Sequence, residues 1–387
     1  MLRQFFVFAL LVGLLVGASA CKQKLEGTAS TGDNGPIVIG EYGSMTGPEA
    51  TFGDSTDEGV KLAVKEINEK GGVLGRQIKL IADDDAGKSN ETQAVVTRLI
   101  AQDHAVAIIG EVASSLSLVG GQICQQQGVP MISPSSTNPK VTAIGNMVSR
   151  VCFIDPFQGY VDATFPKNNL KLDTAAVLFN KSQAYSTGLA KYFADEFKKM
   201  GGKVVAEEAY HDGDNDFSAQ LTSIRGANPA FIYIPGYYTE VVAISESARK
   251  LGITCPLIGG DGWVSDKLKD AGHALDGCYF SDHYYREDPR AEVQEFIKNY
   301  RAAYNHDPDS MAALGYDAAE LLFDAMKRAK SLKGEDLAAA INSTKDFKGV
   351  TGSITIDENR NARKVAVIQK LDNGIFSYFT TIPPLPQ

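Results

Sequence analysis

Segments with strand-like and helix-like patterns alternate along this chain in two separate blocks. In the first block, strands are expected at 37–42, 77–82, 105–109 and 129–133, with helices at 54–69 and 91–102. In the second block, strands are expected at 174–179, 203–210 and 230–234, with helices at 187–200 and 240–251. Strands that alternate with helices predict parallel sheets with crossover helices. The fold class is therefore α/β, with two doubly wound lobes.

The last part of the chain holds further elements. Helices are expected at 292–304 and 312–329, and two antiparallel strands at 353–357 and 364–371 around a turn. Roughly 350 residues remain after the N-terminal segments described below, which exceeds a typical single hydrophobic core. Two domains are therefore expected, although the periodicity does not show where the chain crosses between them.

Clusters of small hydroxyl residues follow two predicted strands of the first block. Ser114 and Ser115 come after the strand that ends at Ile109, and Ser135–Thr137 come after the strand that ends at Ser133. Adjacent parallel strands bring both clusters to one carboxyl edge, where helix N-termini expose unpaired N–H groups. Open α/β sheets bind small anionic groups, such as a carboxylate, at that edge. No strong nucleophile or phosphate-binding glycine loop accompanies the clusters, so they predict a binding site.

The first 20 residues have the pattern of an export signal. Arg3 precedes an apolar stretch of about a dozen residues, too short to span a bilayer comfortably, and small residues follow. Cys21 then resembles the lipidated cysteine of a bacterial lipoprotein; a plain secreted protein is the alternative. Residues 1–20 are interpreted as a signal peptide, and 21–36 as a lipidated N-terminus with a flexible tether. The protein is expected in the periplasm or on the outer face of the cell membrane.

Composition excludes several classes of partner and chemistry. The formal net charge is −9 at pH 7, which disfavours binding to nucleic acid or to anionic membrane surfaces. The histidines are scattered and no Cys-x-x-Cys pair occurs, so neither a metal nor a cofactor is expected.

Four cysteines remain when Cys21 is set aside, and an even number in an oxidising compartment suggests disulfides. Three connectivities are possible. Cys255 and Cys278 adjoin strand-like runs on either side of one helical segment, which favours Cys255–Cys278 and leaves Cys124–Cys152. Four buried free thiols are the alternative.

Six segments together resemble the substrate-binding proteins of branched-chain amino-acid ABC transporters, the leucine/isoleucine/valine-binding family. They cover nearly the whole chain after the tether and are IGEYGSMTGPEATFG (39–53), AVKEINEKGGVLGRQIKL (63–80), DDDAG (83–87), MISPSSTNP (131–139), FIYIPGYYTE (231–240) and GGDGW (259–263). The resemblance implies a type I periplasmic-binding fold, in which two Rossmann-like lobes joined by a three-crossing hinge close on the ligand. The crossings are expected near Asp155, Tyr284 and Asn361. They would divide the chain into an N-terminal lobe of 37–154 plus 285–360 and a C-terminal lobe of 155–284 plus 361–387.

By the same resemblance, the family's contacts with a free α-amino acid fall on particular residues. Ser114 matches a serine that bonds the ligand carboxylate. Ser135, Ser136 and Thr137 match a tripeptide that holds both carboxylate and ammonium. Two of these positions are usually alanine-like in the family, so Ser135 and Ser136 are expected to act through their backbone. An N-cap serine and a plain turn are the alternatives.

Further contacts are implied from the opposite lobe and from the side-chain pocket. Asp261 matches an acidic residue, usually glutamate, that pairs with the ammonium directly or, because aspartate is shorter, through water. Tyr185 and Tyr237 match aromatic residues that cover the ligand. Phe52 and Trp263 are expected to line or shape the pocket. A turn aspartate and packing aromatics are the alternatives.

The residues just before Ser114 are expected to lie beside the side chain of the ligand. Val112 and Ala113 favour an aliphatic one, whereas Glu111 is expected to point away, although it could indicate a polar ligand. Tyr284, at a crossing, is a further candidate for the pocket.

The resemblance thus implies a non-catalytic extracytoplasmic receptor. It would bind a free amino acid, by family default a branched-chain one, and deliver it to the permease of an ABC importer whose ATPase is a separate chain. A monomer is expected, attached to the membrane only through its lipid anchor. The rival classes are a sensor module for chemotaxis or regulation and an exported α/β hydrolase. No Gly-x-Ser-x-Gly elbow supports the hydrolase.

Overall fold

The computed structural model describes residues 35–384. The expectations on the signal peptide, on Cys21 and on nearly all of the tether lie outside these residues. Within the described range, the helices are too short or too polar to cross a membrane.

A five-stranded parallel sheet forms the core of a first lobe. Its strands are β1 (Ile37–Gly43), β2 (Ile78–Asp84), β3 (Ile108–Ile109), β4 (Met131–Ser133) and β5 (Val148–Arg150). Their order is β2-β1-β3-β4-β5, with every neighbouring pair parallel. The loops that follow β1, β3 and β4 therefore meet at one edge of the sheet, as the hydroxyl clusters predict.

Helices cover both faces of this sheet. They are α1 (Ala50–Glu69), α2 (Ser89–Ala101), α3 (Ser114–Gln127), the short α4 (Lys140–Ala143) and, from later in the chain, α9 (Ala291–Tyr304), α10 (Ser310–Arg328) and α11 (Gly334–Asn342). One apolar cluster lies between the sheet and α1 with α10, where Val60 and Leu314 are buried. A second lies on the opposite face under α2 and α3, around Val96 and Met131.

A seven-stranded mixed sheet forms the core of a second lobe. Its strands are β6 (Thr174–Asn180), β7 (Lys203–Tyr210), β8 (Phe231–Ile234), β9 (Leu257–Gly259), β10 (Cys278–Asp282), β14 (Ala366–Asp372) and β15 (Ile375–Ile382). Their order is β15-β14-β10-β9-β8-β6-β7. The strands β6 to β10 are parallel, whereas β14 and β15 join antiparallel. Two doubly wound lobes confirm the predicted fold class, while the residues at which the lobes divide stay a prediction.

All helices of the second lobe except the first follow one of its parallel strands. The helices of this lobe are α5 (Asp155–Thr164), followed by a π-helical turn at Phe165–Asn169, α6 (Ala184–Lys199), α7 (Ser218–Ala227), α8 (Tyr238–Lys250) and two 3-10 segments, Asp261–Trp263 and Asp266–Leu275. Because β6, β8 and β9 lead into α6, α8 and the first 3-10 segment, this lobe also presents helix N-termini at one edge of its sheet.

The prediction of an antiparallel strand pair near the C-terminus is partly wrong. The strand β12 (Gly352–Ile356) does pair across the expected turn, but with the two-residue β13 (Ala362–Arg363), and it also pairs with β11 (Phe347–Gly349). Most of the predicted second strand is β14, which leaves for the second sheet and pairs with β10 and β15. The alternating pattern of β14 fits either sheet, so the choice depends on partners distant in sequence.

The predicted disulfides are not formed in the described residues, which contain free thiols at Cys124, Cys152, Cys255 and Cys278. Cys124 packs under α2 and α3 while Cys152 packs on the α1 and α10 face, so the sheet separates them. The Cys278 sulfur accepts hydrogen bonds from the Leu257 N–H (3.4 Å) and from Arg249 (3.5 Å). Burial raises the pKa of Cys278 to about 11. The described residues therefore agree with the alternative of free thiols, except that Cys255 is half-buried.

Two glycines allow α1 and α10 to pack closely. A Cβ atom at Gly59 would lie 2.0 Å from the Ala312 carbonyl oxygen, and one at Gly315 would lie 2.5 Å from the Thr56 carbonyl oxygen. Side-chain atoms do not tolerate such distances, so any larger residue would push the helix backbones apart. This contact fixes the two helix N-termini, which face the second lobe.

Replacing Gly59 with alanine should lower the free energy of unfolding by about 1–3 kcal/mol, because overlap with α10 outweighs the better helix propensity of alanine. The measurement is urea unfolding followed by circular dichroism. Gly226→Ala in α7 is the matched control: nothing lies within 4 Å of its added Cβ, so stability should stay the same or rise by up to about 1 kcal/mol. Wild-type stability in Gly59→Ala would contradict the close contact.

Candidate functional site

The two lobes touch across a cleft at which the strand ends of both sheets meet. On one side, the Ser115 hydroxyl accepts a hydrogen bond from the Ala184 N–H (3.1 Å), and the Asn138 amide donates to the Ala184 carbonyl (2.8 Å). On the other side, the Tyr238 hydroxyl donates to the Pro48 carbonyl (2.8 Å). The lobes are therefore closed on each other, and side chains between them are buried.

The first lobe contributes hydroxyl groups at the start of α3 and after β4. Within residues 35–384, no side chain caps the N-terminus of α3. The Ser114 hydroxyl oxygen accepts a hydrogen bond from the Asn138 N–H (3.3 Å), and the hydroxyl can donate to a ligand. Ser135 and Thr137 are 4% and 1% exposed, and neither hydroxyl has a partner among residues 35–384. Buried polar groups are normally hydrogen-bonded, so these groups are suited to a polar ligand.

Ser136 has a structural role instead. Its hydroxyl lies 2.8 Å from the Val112 carbonyl, 3.0 Å from the Glu111 carbonyl and 2.7 Å from the Ser117 hydroxyl. The side chain therefore ties the loop after β4 to the loop after β3 and is not available to a ligand. A contact through its backbone stays a prediction.

Asp155 adds a carboxylate that sequence reasoning assigned only to a hinge crossing. It begins α5, and its N–H donates to the Thr137 carbonyl (3.0 Å). The side chain is fully buried, and neither carboxylate oxygen has a hydrogen-bond partner of good geometry in the described chain. Burial raises the pKa of Asp155 to about 7; the neighbouring Thr137 hydroxyl opposes this shift, and the charge of Asp261 adds to it. A cation beside Asp155 would satisfy both oxygens and lower this pKa again.

Asp261 faces the cleft from the second lobe and is held by three donors. The Tyr185 hydroxyl and the Gln158 amide each donate to Oδ1 at 2.9 Å, and His283 Nε2 lies 3.0 Å from Oδ2. A carboxylate offers about four acceptor positions, so one position on Oδ2 remains for a further donor. The predicted acidic residue is thus already oriented by the protein.

His283 and Gln158 are site residues that sequence reasoning missed. The His283 ring is stacked on Phe153 with 3.7 Å between centroids. Burial lowers the pKa of His283 to about 4, against the opposing effect of Asp261, so a neutral imidazole donates to Asp261 through Nε2. The Gln158 amide also donates to the Ser281 hydroxyl (3.0 Å). Neither residue belongs to a recognisable motif, and only the nearness of His283 to an expected crossing hinted at its place.

Aromatic and apolar side chains form the remaining walls. Tyr185 and Tyr237 are stacked with 5.3 Å between ring centroids, and Phe52 from α1 packs edge-on against Tyr237 at 5.5 Å. Val112 and Met311, both from the first lobe, are buried in the same cluster. The structure thus brings together the predicted Phe52, Tyr237 and Val112, with Met311 as an unpredicted neighbour.

Three other candidates lie elsewhere. Trp263 is buried in the second-lobe core, where its indole N–H donates to the Ile234 carbonyl (2.9 Å), so it shapes the cleft only through packing. Glu111 points into the first lobe, as expected, and accepts from the N–H (3.0 Å) and hydroxyl (2.8 Å) of Ser44. Burial raises the pKa of Glu111 to about 8. Tyr284 lies beside a separate cavity that is described below.

The site therefore contains both hydrogen-bond donors and carboxylates. Ser114, Thr137 and the N-terminus of α3 can donate to an anionic group, while Asp155 and Asp261 can accept from a cationic one. In the part of the chain that the structure describes, no group of three or more His, Cys, Asp or Glu side chains is placed to hold a metal ion. Such an arrangement suits a small zwitterion with an apolar side chain.

Comparisons with known proteins agree with the fold. The profile of the family described as periplasmic binding protein matches residues 36–374. The Leu/Ile/Val-binding protein homolog 2 of Brucella abortus is 30% identical over 375 residues, which cover 95% of this chain and 98% of that protein. The crystal structure of leucine binding protein LivK from Thermotoga maritima is 39% identical, with a TM-score of 0.87, and the match covers 90% of this chain and 99% of that one. A second crystal structure, solved with isoleucine, is that of the branched-chain amino acid transporter substrate binding protein LivJ from Streptococcus pneumoniae. It is 32% identical, with a TM-score of 0.85, and the match covers 90% of this chain and 100% of that one.

The depressed pKa of His283 predicts a defined pH dependence of stability. Unfolded histidine binds a proton near pH 6.5, whereas folded His283 does so only near pH 4, so stability is lost as the pH falls through this interval, by up to about 3 kcal/mol. His283→Gln should remove that loss. Urea unfolding between pH 7 and pH 4 measures this loss of stability. The control is His211→Gln, at an exposed histidine, which should keep the wild-type pH profile. An unchanged profile in His283→Gln would contradict the assignment.

Proposed function

We propose that this chain, which belongs to the periplasmic binding protein family, is a non-catalytic extracytoplasmic receptor for a free amino acid. The proposal rests on one observation: buried polar groups without hydrogen-bond partners lie at the closed cleft. They are the hydroxyls of Ser135 and Thr137, the carboxylate of Asp155 and the side-chain carbonyl oxygen of Gln158. Leaving such groups unpaired costs about 1–3 kcal/mol each, so a ligand that pairs them gains affinity and favours closure.

The two charged ends of an α-amino acid fit opposite parts of this set. Its carboxylate would accept from the hydroxyls of Ser114 and Thr137 and from the uncapped N–H groups of α3. Its ammonium would donate to Asp155 and to the remaining acceptor position of Asp261. Because both ends would be buried among fixed partners, molecules that lack either group should bind far more weakly.

The side chain of the ligand would lie among Phe52, Val112, Met311 and Tyr237, which are all buried in one apolar cluster. This wall supports an aliphatic ligand, with leucine, isoleucine and valine first. The names of the relatives, which include leucine and branched-chain amino acid binding proteins, support the same choice.

Delivery to an ABC importer completes the proposal. The closed form would dock on permease subunits and release the amino acid for import driven by a separate ATPase. Export by the signal peptide, a lipid anchor at Cys21 and a monomeric state rest on the sequence alone. Together they would keep the receptor in the periplasm or at the outer face of the membrane.

The test is a ligand screen by thermal shift and calorimetry. The protein is first unfolded and refolded to remove bound ligand, then titrated with the twenty amino acids and with the amide and decarboxylated analogues of leucine. Stoichiometric binding of leucine, isoleucine or valine, lost with both analogues, is expected. No binding by any amino acid would contradict the proposal.

Proton release should accompany binding. Burial raises the pKa of Asp155 in the closed form to about 7, and an ammonium beside the carboxyl lowers that pKa, so protons should leave when the closed form takes up its ligand. Affinity should therefore rise between pH 6 and pH 8. Calorimetry in buffers of different ionisation enthalpy measures the release, and Asp155→Asn should abolish it. Proton uptake, or no exchange in the wild type, would remove Asp155 from the ammonium site.

Thr137→Val should weaken amino-acid binding about tenfold, because it removes one buried hydroxyl donor with little change in shape. Isothermal titration calorimetry measures the loss. The control is Thr97→Val on the exposed face of α2, which should bind like the wild type. If Thr137→Val binds as tightly as the wild type, the loop acts only through its backbone.

A further inference from the structure

A cavity lies between the lobes, away from the proposed amino-acid contacts. Its volume is about 330 Å³, within the range of small-molecule sites. The first lobe supplies walls from α1 and from residues 306–310, the second lobe supplies Val264, Asp266 and Asp282, and the segment 284–287 joins them. The lining does not include Ser114, Thr137, Asp155 or Asp261. We call this space the lateral cavity.

The lateral cavity is strongly acidic. Seven lining side chains carry a carboxyl group and two can carry a positive charge; the carboxyls are Asp54, Glu58, Asp266, Asp282, Glu287, Asp307 and Asp309. Both positive groups are already paired, Arg286 with Asp307 (2.8 Å) and His306 with Glu58 (3.2 Å). The cavity therefore has a surplus of negative charge.

Two of these carboxylates, the buried Asp282 and the half-buried Asp309, have only neutral partners. Asp309 accepts from the Ala312 N–H (2.9 Å) and the Ser55 hydroxyl (2.8 Å). Asp282 accepts from the His283 N–H (2.6 Å) and from the Gln369 amide. No ion pair reaches either carboxylate within residues 35–384. Burial raises the pKa of Asp282 to about 7 and that of Asp309 to about 6, as expected of carboxyls that have no counter-charge.

A buried hydroxyl without a partner also lines the lateral cavity. Tyr284 is 4% exposed, and its hydroxyl has no hydrogen-bond partner in the described part of the chain. The buried Ser310 hydroxyl, by contrast, lies beside Asp282 and lowers the pKa of that carboxyl. A buried hydroxyl is rarely left unpaired in a finished structure, so Tyr284 indicates a ligand with hydrogen-bonding capacity.

The walls also favour an organic ligand over a bare metal ion. Val264, Phe280, Pro308 and Phe376 give the cavity an apolar surface. The described residues hold no set of three or more His, Cys, Asp or Glu side chains that could ligate a metal. A cation with a short hydrocarbon body fits both the charge and these walls.

We propose that the lateral cavity binds a small organic cation, a primary amine or guanidinium on a short aliphatic chain, at a site distinct from the amino-acid site. Because the cavity is built from both lobes, its ligand stabilises the closed form. The two ligands then strengthen each other's binding, since each favours the same conformation. This coupling rests on the proposed amino-acid function, whereas the cation site itself does not.

The test uses 1,4-diaminobutane as the probe and 1,4-butanediol as its neutral control. Calorimetry of the purified protein is run with and without a saturating amino acid from the screen above. The diamine should bind once per chain, the diol should not, and the amino acid should bind about fivefold tighter when diamine is present. The double variant Asp54→Asn, Glu287→Gln should weaken diamine binding at least tenfold. It should leave amino-acid affinity without diamine unchanged, and Glu295→Gln, outside the cavity on α9, should behave like the wild type.

Several outcomes would overturn the proposal. These are no diamine binding, equal binding by the double variant, tighter binding of Mg²⁺ than of diamine, or competition between diamine and amino acid. Competition would make the cavity an extension of the amino-acid site. If diamine binds the wild type and not the double variant while no amino acid binds, the cation site stands and the amino-acid function fails.

Discussion

The face that the second lobe presents to the cleft depends on one buried carboxylate. Three side chains donate hydrogen bonds to Asp261: Tyr185 from α6, Gln158 from α5 and His283 from the segment after β10. A buried carboxylate without partners would cost several kcal/mol. Three neutral donors offset much of that cost, and among the described residues no lysine or arginine neutralises the charge. Asp261 therefore remains an acceptor for a cationic ligand group while its donors hold three elements of the lobe in register.

Closing the lobes brings a second carboxylate, Asp155, into the same buried region. Its pKa is raised by burial first and by the charge of Asp261 next, so an empty closed form is electrostatically unfavourable at neutral pH. The contacts at the cleft edges, such as Ser115 with Ala184 and Tyr238 with Pro48, favour closure. A ligand ammonium removes the penalty without altering those contacts, which is how binding would shift the population toward the closed form. The same balance disfavours simple anions, since they would add to the negative charge.

The sequence patterns predicted those site residues whose position depends only on the order of the strands. Ser114, Thr137 and Asp261 all follow strands directly, and parallel strands bring their carboxyl ends together. Asp155, Gln158 and His283 were not predicted as site residues, because their roles depend on burial by segments far away in the chain. The hydroxyl contacts of Ser136 with the loop after β3 were likewise not predicted, since its neighbour Thr137 has the same local pattern and only that packed loop distinguishes them. The strand β14 followed the expected periodicity but joined the other sheet, since alternation does not specify a partner.

The central claim is that Asp155 and Asp261 hold an ammonium group opposite a carboxylate held by Ser114 and Thr137. A crystal structure of the refolded protein with leucine tests it most directly. The leucine nitrogen should lie within about 3.2 Å of oxygens from both aspartates, and the leucine carboxylate at a similar distance from the two hydroxyls. A leucine bound with its nitrogen away from both aspartates would contradict the account.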